Sequence, residues 1–292
     1  MFIFIDYASI DANRPPDWDK LKAAASGAGS TLSGVIFRGA WGGSPDPVIS
    51  RDWLNARSSG LITGAYLYLR MKGQSLLSPE DQVHVFADNV GTLTGRDLVP
   101  AIDVEDTGLT AEEELEWVHR AWLEMVGIYG VPPMLYTSAR VWSEDVHDLP
   151  SADLQTSPLW LAKPWPWAVH SPAQLSPGPF QSGQYAPAVP KPWRAGNWWL
   201  HQYQGDAYPT PGITNTIDLS RFNPMGQGER GARVSWVQAR IGAAVDGVFG
   251  PQTTAALRQF QAMHALVVDG IVGPQTFVAL MWARPGVLPQ AA

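Results

Sequence analysis

The sequence predicts an α/β protein, a barrel of strands and helices followed by a small all-α domain. Short apolar runs alternate with helical segments over residues 2–137, a rhythm typical of a parallel sheet that is either closed or doubly wound. No glycine-rich phosphate loop follows the first apolar run, which disfavours a nucleotide-binding sheet. A repeat with a period of 23 residues near the C-terminus predicts helical units that pack against each other.

Five strands and four helices are predicted in the first half of the chain. Strands are expected over residues 2–6, 34–38, 62–69, 98–107 and 133–137, and helices over 17–28, 52–59, 79–90 and 110–129. Three further strands, at 159–162, 198–203 and 216–219, have no convincing helix between them. Residues 163–197 hold eight prolines, too many for regular structure. The pattern therefore predicts an α/β barrel or a doubly wound sheet in which the last three strands are poor in helices.

The predicted strand over residues 98–107 contains acids spaced two residues apart. Side chains alternate along a strand, so Asp103 and Glu105 share a face at roughly 7 Å. Burying like charges costs several kcal/mol, so a core strand avoids such a pair of acids unless the acids have a function. Paired carboxylates of unequal pKa are the usual means of breaking a glycosidic bond. Asp6 and Asp218 also lie near the ends of predicted strands, where parallel barrels build their active sites. The alternative is that these acids simply face water.

Composition excludes several other classes of protein. A net charge of −7 argues against a nucleic-acid partner, and the absence of cysteine excludes disulfides and thiolate nucleophiles. No apolar run approaches the ~20 residues that span a bilayer, and the first residues predict a strand, not a signal peptide. The six histidines show no metal-binding spacing, so neither a metal nor a cofactor is expected. Fourteen tryptophans mildly favour a carbohydrate ligand, because indole faces stack on sugar rings.

The repeat marks a second domain. The segments 245–257 and 268–280 share the pattern Asp-Gly-x-x-Gly-Pro-Gln-Thr, in which Pro251 and Pro274 suit the first turns of helices. Domains are predicted at residues 1–224 and 230–292, with 225–229 as a linker. The tail is expected to fold independently and to act through tethering.

Motifs along residues 1–224 resemble glycoside hydrolase family 25, the Chalaropsis-type lysozymes. They stand in the order Phe4-Ile-Asp6, Asp17-Trp18, Gly34-Val-Ile-Phe-Arg38, Gly64-Ala-Tyr66, Ala101-Ile-Asp-Val-Glu105, Leu135-Tyr-Thr137, Leu159-Trp-Leu-Ala162, His201-Gln-Tyr203 and Ile217-Asp-Leu219. One departure is that Asp6 is followed by Tyr-Ala-Ser-Ile, where the family usually has Ser and then Gln. Residues 230–282 resemble the peptidoglycan-binding type 1 domain, a three-helix module. The combination resembles a bacteriophage endolysin.

The resemblance implies an irregular TIM-like β/α barrel whose last three strands are poor in helices, a shape that the predicted elements match. It also implies cleavage between N-acetylmuramic acid and N-acetylglucosamine in peptidoglycan. Glu105 would be the general acid, and Asp103 would orient the substrate N-acetyl group, whose oxygen attacks the anomeric carbon. Asp6 is a competing nucleophile, and Asp218 would position or balance the other acids. The residues expected to line the sugar subsites are Tyr66, Tyr136, Trp160 and Gln202.

Partners and location follow from the same interpretation. The protein is expected to be a monomer that binds peptidoglycan glycan strands, without nucleic acid or membrane insertion. It would be made in the bacterial cytoplasm without a signal peptide and act on the wall after release. Another barrel glycosidase such as a chitinase, or a non-catalytic wall-binding protein, are the alternatives.

Overall fold

The computed structural model describes residues 1–8, 14–47, 49–73, 76–163, 171–177, 186–193 and 196–284. Its first part is built on nine strands. These are β1 (Phe2–Tyr7), β2 (Thr31–Trp41), β3 (Ser44–Pro45), β4 (Ile62–Tyr68), β5 (Ala101–Asp103), β6 (Met134–Ser138), β7 (Leu159–Ala162), β8 (Leu200–Ala207) and β9 (Ile217–Phe222).

Eight of these strands close into a barrel. The two-residue β3 pairs antiparallel with the end of β2. The order around the barrel is β1-β9-β8-β7-β6-β5-β4-β2, and pairing of β1 with β2 closes it. Neighbouring strands are parallel except for β9, which is antiparallel to both β1 and β8. The closed barrel, its helices and the helical C-terminal part confirm the predicted α/β class.

Four α-helices follow the early barrel strands. They are α1 (Trp18–Gly27), α2 (Ile49–Ser58), α3 (Pro79–Val90) and α4 (Ala111–Tyr129). The predicted capping box begins α4, because Thr110 and Glu113 bind each other's backbone N–H groups. Between β6 and β9, the only helical segments among the described residues are a π-helical turn at Val141–Asp145 and a 3₁₀ turn at Leu154–Thr156. No helix in the described part of the chain is both long and apolar enough to cross a bilayer.

The acid-bearing strand is shorter than predicted. It was expected over residues 98–107, whereas β5 spans Ala101–Asp103. Beyond the strand, the Asp106 carboxylate accepts hydrogen bonds from the backbone N–H groups of Met71, at 2.9 Å, and Lys72. Glu105 therefore lies beyond the end of the strand, in the segment between β5 and α4.

The tail contains α5 (Ala232–Ile241), α6 (Pro251–Met263) and α7 (Pro274–Trp282). The repeat appears as two equal clamps, in which a buried glutamine amide donates to an aspartate, a backbone carbonyl and a threonine hydroxyl. One clamp joins Gln238 to Asp246, Val248 and Thr253, and the other joins Gln261 to Asp269, Ile271 and Thr276. Each clamp fixes the turn that precedes a proline-started helix.

The tail and the barrel share one hydrophobic core. Phe277 of α7 stacks on Trp199, with ring centroids 4.4 Å apart, and lies 5.4 Å from Phe222. Met225 is buried and exchanges backbone hydrogen bonds with Val272. The segment after β9 is thus packed against the tail, and the predicted linker at 225–229 remains a prediction.

The tail covers the end of the barrel at which the parallel strands begin. A cavity of about 310 Å³ is bounded by Phe2 and Leu32 from the barrel and by Leu266 from the tail. A second, of about 450 Å³, lies between Thr63 and Val278. Both cavities therefore lie at the opposite end from the rim on which β1 and β5 carry their acids.

Candidate active site

Four carboxyl groups meet at the rim where the parallel strands end. Asp6 lies near the end of β1, Asp103 ends β5, and Glu105 follows two residues later. Asp218 was predicted near the carboxyl end of its strand, whereas it is the second residue of β9. Because β9 runs antiparallel, its start reaches the same rim, and Asp218 pairs directly with Asp6.

Gln202 of β8 connects these acids to one another. Its amide Nε2 donates to Asp218 Oδ2 at 2.8 Å and to Asp6 Oδ2 at 3.4 Å. Its Oε1 accepts a 2.6 Å hydrogen bond from the Tyr136 hydroxyl, which also lies 3.3 Å from Glu105 Oε1. The hydroxyl has one hydrogen, so it serves Gln202 or Glu105 at a given moment. The network therefore links Asp6 and Asp218 to Glu105 through two neutral side chains.

Glu105 is the exposed member of the group. Its carboxyl group is nevertheless surrounded by protein at the mouth of the barrel, and this desolvation raises its pKa. The Tyr136 hydrogen bond and the positive charge of Arg140 lower the pKa, and the negative charge of Asp218 raises it. A carboxylic acid that stays protonated while facing solvent can deliver a proton to a bound substrate.

Asp103 is buried, with 5% of its surface exposed. Burial raises its pKa well above the ordinary value, and the charges of Glu105 and Asp6 raise it further. Arg38 opposes this rise, although its guanidinium is bound to Asp46 at 3.1 Å. Asp103 Oδ1 is buried without a hydrogen-bond partner among the described residues. An unpaired buried oxygen of this kind is costly to the fold.

Asp6 and Asp218 form a coupled pair. Burial raises the pKa of Asp6 well above its usual range, and the adjacent Asp218 charge adds to the effect. The pKa of Asp218 rises to about 6, chiefly through burial. The backbone N–H of Asp206 donates to Asp218 Oδ1 at 2.6 Å and limits that rise. Like charges this close favour a shared proton.

The aromatic residues predicted to bind sugar pack beneath the acids. Trp160 is 2% exposed and donates its Nε1–H to Ser220 Oγ at 2.8 Å. Its ring lies 4.6 Å from that of Tyr136 and 6.2 Å from that of Tyr66. The structure therefore brings all eight predicted site residues together, and direct sugar contact by these aromatics remains a prediction.

Part of the proline-rich segment 163–197 lies outside the described residues, including Trp165 and Trp167. Its third tryptophan, Trp193, is described and buried. The Trp193 ring packs against Trp142 at 4.8 Å, so this residue belongs to the hydrophobic core of the barrel.

Sequence reasoning missed two charged or titratable residues that interact electrostatically with the acids. Arg140 lies after β6, outside any recognisable motif, yet its charge lowers the pKa of Glu105. Tyr68 pairs with Asp103 across β4 and β5, and the nearby acids help burial to raise its pKa to about 12. The two-residue spacing of Tyr66 and Tyr68 in β4 was the available signal. Among the described residues no group of histidines and acids has a metal-binding arrangement.

Both parts of the chain match known protein families. The family described as glycosyl hydrolases family 25 matches residues 5–213, a range that includes Asp6, Asp103 and Glu105. A peptidoglycan binding domain family matches residues 230–280. The uncharacterized protein YegX of Escherichia coli O157:H7 is 28% identical over 179 residues, which are 61% of this chain and 54% of YegX. The chain thus spans about half the length of the curated relatives it matches.

Solved structures share the fold. A bacterial lysozyme from Streptomyces coelicolor superposes with a TM-score of 0.57 and 20% identity, over 76% of this chain and 92% of that one. A muramidase from Acremonium alcalophilum has a TM-score of 0.55 and 21% identity, over 76% and 94%. The family match runs from β1 to the loop before β9. The protein therefore belongs to glycosyl hydrolases family 25.

Proposed function

We propose that the protein is an endolysin-type N-acetylmuramidase that hydrolyses the β-1,4 bond between N-acetylmuramic acid and N-acetylglucosamine in peptidoglycan. The observation that carries the proposal is the meeting of an exposed acid of raised pKa, Glu105, with the buried Asp103 on one barrel rim. Family membership and the peptidoglycan-binding match of the tail support the choice of substrate.

Glu105 acts as the general acid. Its proton passes to the glycosidic oxygen as the bond between that oxygen and the anomeric carbon breaks. The raised pKa keeps this proton in place at pH values where an ordinary glutamate is ionised. Once Glu105 is a carboxylate, it can take a proton from the water that completes hydrolysis.

Asp103 directs the substrate's own nucleophile. The acetamido carbonyl oxygen attacks the anomeric carbon as the leaving group departs. The Asp103 carboxyl group accepts a hydrogen bond from the acetamido N–H and orients it. Water then attacks the anomeric carbon and restores the acetamido group, so two displacements retain the configuration. Asp6 is the competing nucleophile in this proposal. Its hydrogen bond with Gln202 and its pairing with Asp218 favour a supporting role.

The tail supplies wall affinity in this proposal. Residues 230–292 would form a three-helix wall-binding domain joined by residues 225–229 to an irregular TIM-like barrel of residues 1–224. Five arginines against three acids make the segment after Met225 basic, whereas the whole chain carries −7. Arg233 and Arg240 are buried, however, so the match to the peptidoglycan binding domain family, and not surface charge, supports wall binding by the tail.

Mass spectrometry of borohydride-reduced digests of purified sacculi tests the proposal. A muramidase leaves reduced muramic acid at the new ends. Reduced glucosamine ends would instead indicate a glucosaminidase or chitinase-like specificity. Sacculi that bind the protein but yield no new ends would indicate a non-catalytic wall-binding protein.

A further inference from the structure

Trp41, at the end of β2, differs from the other tryptophans. Among those in the described part of the chain it alone is exposed, with 41% of its surface accessible. A single exposed aromatic ring needs no explanation by itself. The position of Trp41 on the rim of the barrel is what makes it a candidate for contact with a ligand.

The strand register places Trp41 in line with Asp103, one of the four acids of the site. Trp41 pairs with Tyr68 across β2 and β4, and Tyr68 pairs with Asp103 across β4 and β5. The three residues form one row across three parallel strands, so their side chains leave the same face of the sheet. Two strand spacings make about 10 Å between Trp41 and Asp103 along this row. A sugar chain held at Asp103 can reach that far.

Arg70 covers one face of the indole. Its guanidinium carbon lies 4.1 Å from the Trp41 ring centroid, a cation–π contact. The Tyr68 ring lies 6.3 Å away and is tilted by 34°. The exposed surface of Trp41 is therefore the other face and the edge of the ring, the surface on which a sugar ring stacks.

Arg70 is held in place through its backbone and its side chain. The buried Gln82 accepts from the Arg70 N–H and donates to the Arg70 carbonyl, both at 2.9 Å. The guanidinium donates to the Lys72 carbonyl at 2.8 Å. Gly73, with φ of 125°, lies so close that an added Cβ would stand 2.5 Å from Arg70 Nη2. The indole therefore rests on a fixed support and loses little freedom on binding.

We propose that Trp41, backed by Arg70, is a sugar-stacking subsite for a ring of the glycan beyond the two rings joined by the cleaved bond. This inference rests on the proposed muramidase function for the identity of the glycan. Trp41 touches the substrate, and Arg70 is a positioning residue that holds the indole.

Glycan binding to a Glu105→Gln protein tests this assignment, because no hydrolysis disturbs the measurement. The probe is a series of soluble, peptide-free peptidoglycan oligosaccharides of increasing length, titrated by calorimetry. Adding Trp41→Ala should weaken binding of the longer oligosaccharides about tenfold, which corresponds to about 1.4 kcal/mol. The shortest oligosaccharide should lose much less. Trp41→Phe should recover part of the affinity, since a smaller aromatic face remains.

Leu54→Ala is the matched control, because Leu54 is 62% exposed on α2, away from the rim. Its affinities should equal those of the Glu105→Gln parent. Unfolding temperatures verify that each variant is folded. Equal affinity of the Trp41→Ala and parent proteins at every length would overturn the proposal, as would an equal loss at every length.

Kinetics of the otherwise wild-type protein separate this inference from the proposed function. Trp41→Ala should raise KM for long glycans and leave kcat within about twofold. A lowered kcat with unchanged KM would refute a binding role for Trp41. Failure of the wild-type protein to cleave any glycan would refute the muramidase proposal, while length-dependent binding through Trp41 would still stand.

Discussion

The two ends of the barrel bury opposite kinds of side chain, acids at the rim and aromatic rings at the other end. At the rim, Asp6 and Asp103 are buried beside other acids, and Asp103 keeps an unpartnered oxygen. At the other end, Trp199 and Phe222 are buried under Phe277 of the tail. Buried like charges reduce the stability of the fold, whereas buried aromatic rings add to it.

This contrast shows how the fold can tolerate its active site. Burial of apolar area stabilises by roughly 25 cal/mol per Å², and the shared core joins the tail to the barrel at the end away from the acids. The free-energy cost of burying acids at the rim is therefore offset by apolar burial at the other end of the barrel, where no chemistry takes place. Changes at the two ends should separate activity from stability.

Deletion of residues 225–292 should have the largest effect on stability. The sequence alone suggests a tethered tail whose loss spares the barrel, but the deletion would expose Trp199 and Phe222 to water. We expect a truncated protein that aggregates or unfolds at much lower temperature, measured by circular dichroism and light scattering. A truncated barrel with wild-type unfolding temperature and full turnover of soluble glycans would show that the tail is only a tether.

Phe277→Ala is a smaller change at the same interface. Phenylalanine-to-alanine substitutions in a core cost about 3–5 kcal/mol, so denaturant unfolding should show a loss of that size. Met263→Ala, in the exposed part of α6, is the control and should change stability little. The kcat of folded Phe277→Ala protein should match wild type, and a large fall in kcat would mean that the interface influences the active site.

Asp103→Asn should reduce turnover on the order of 10²-fold and slightly stabilise the fold. The raised pKa of Asp103 means that the folded state binds more protons than the unfolded state above about pH 4. Its contribution to stability is therefore fully present below the unfolded pKa and is lost as pH rises through the folded pKa. The variant should gain a few degrees in unfolding temperature at pH 7 and little at pH 4. A variant that is less stable than wild type at pH 7 would contradict this electrostatic account.

Local sequence patterns were sufficient to predict much of the barrel. The capping box at Thr110 and Glu113 begins α4 as expected, because it depends on residues three positions apart. The acids were found because their spacing is unusual in a buried strand. The early end of β5 was not predicted. The segment after it is held by a hydrogen bond from Met71 to Asp106, a contact between distant parts of the chain that a local pattern does not record.

Other features depend on contacts that no local pattern records. The antiparallel direction of β9 puts Asp218 on the rim from the start of its strand. The excess of tryptophan suggested sugar binding, yet Trp199 instead joins the two parts of the chain. Trp41 can be distinguished from the other tryptophans only in the structure, where the strand register aligns it with Asp103 and the ring is exposed.

Turnover of sacculi by Glu105→Gln, measured beside its unfolding temperature and its wall binding, decides whether Glu105 is the general acid. The amide is nearly isosteric and cannot donate the proton, so turnover should fall by on the order of 10²-fold or more. Wall binding should persist, and the unfolding temperature at pH 7 should equal or exceed that of the wild type. A folded Glu105→Gln protein that clears sacculi at near wild-type rate would contradict the account and move the acid to Asp6 or Asp218.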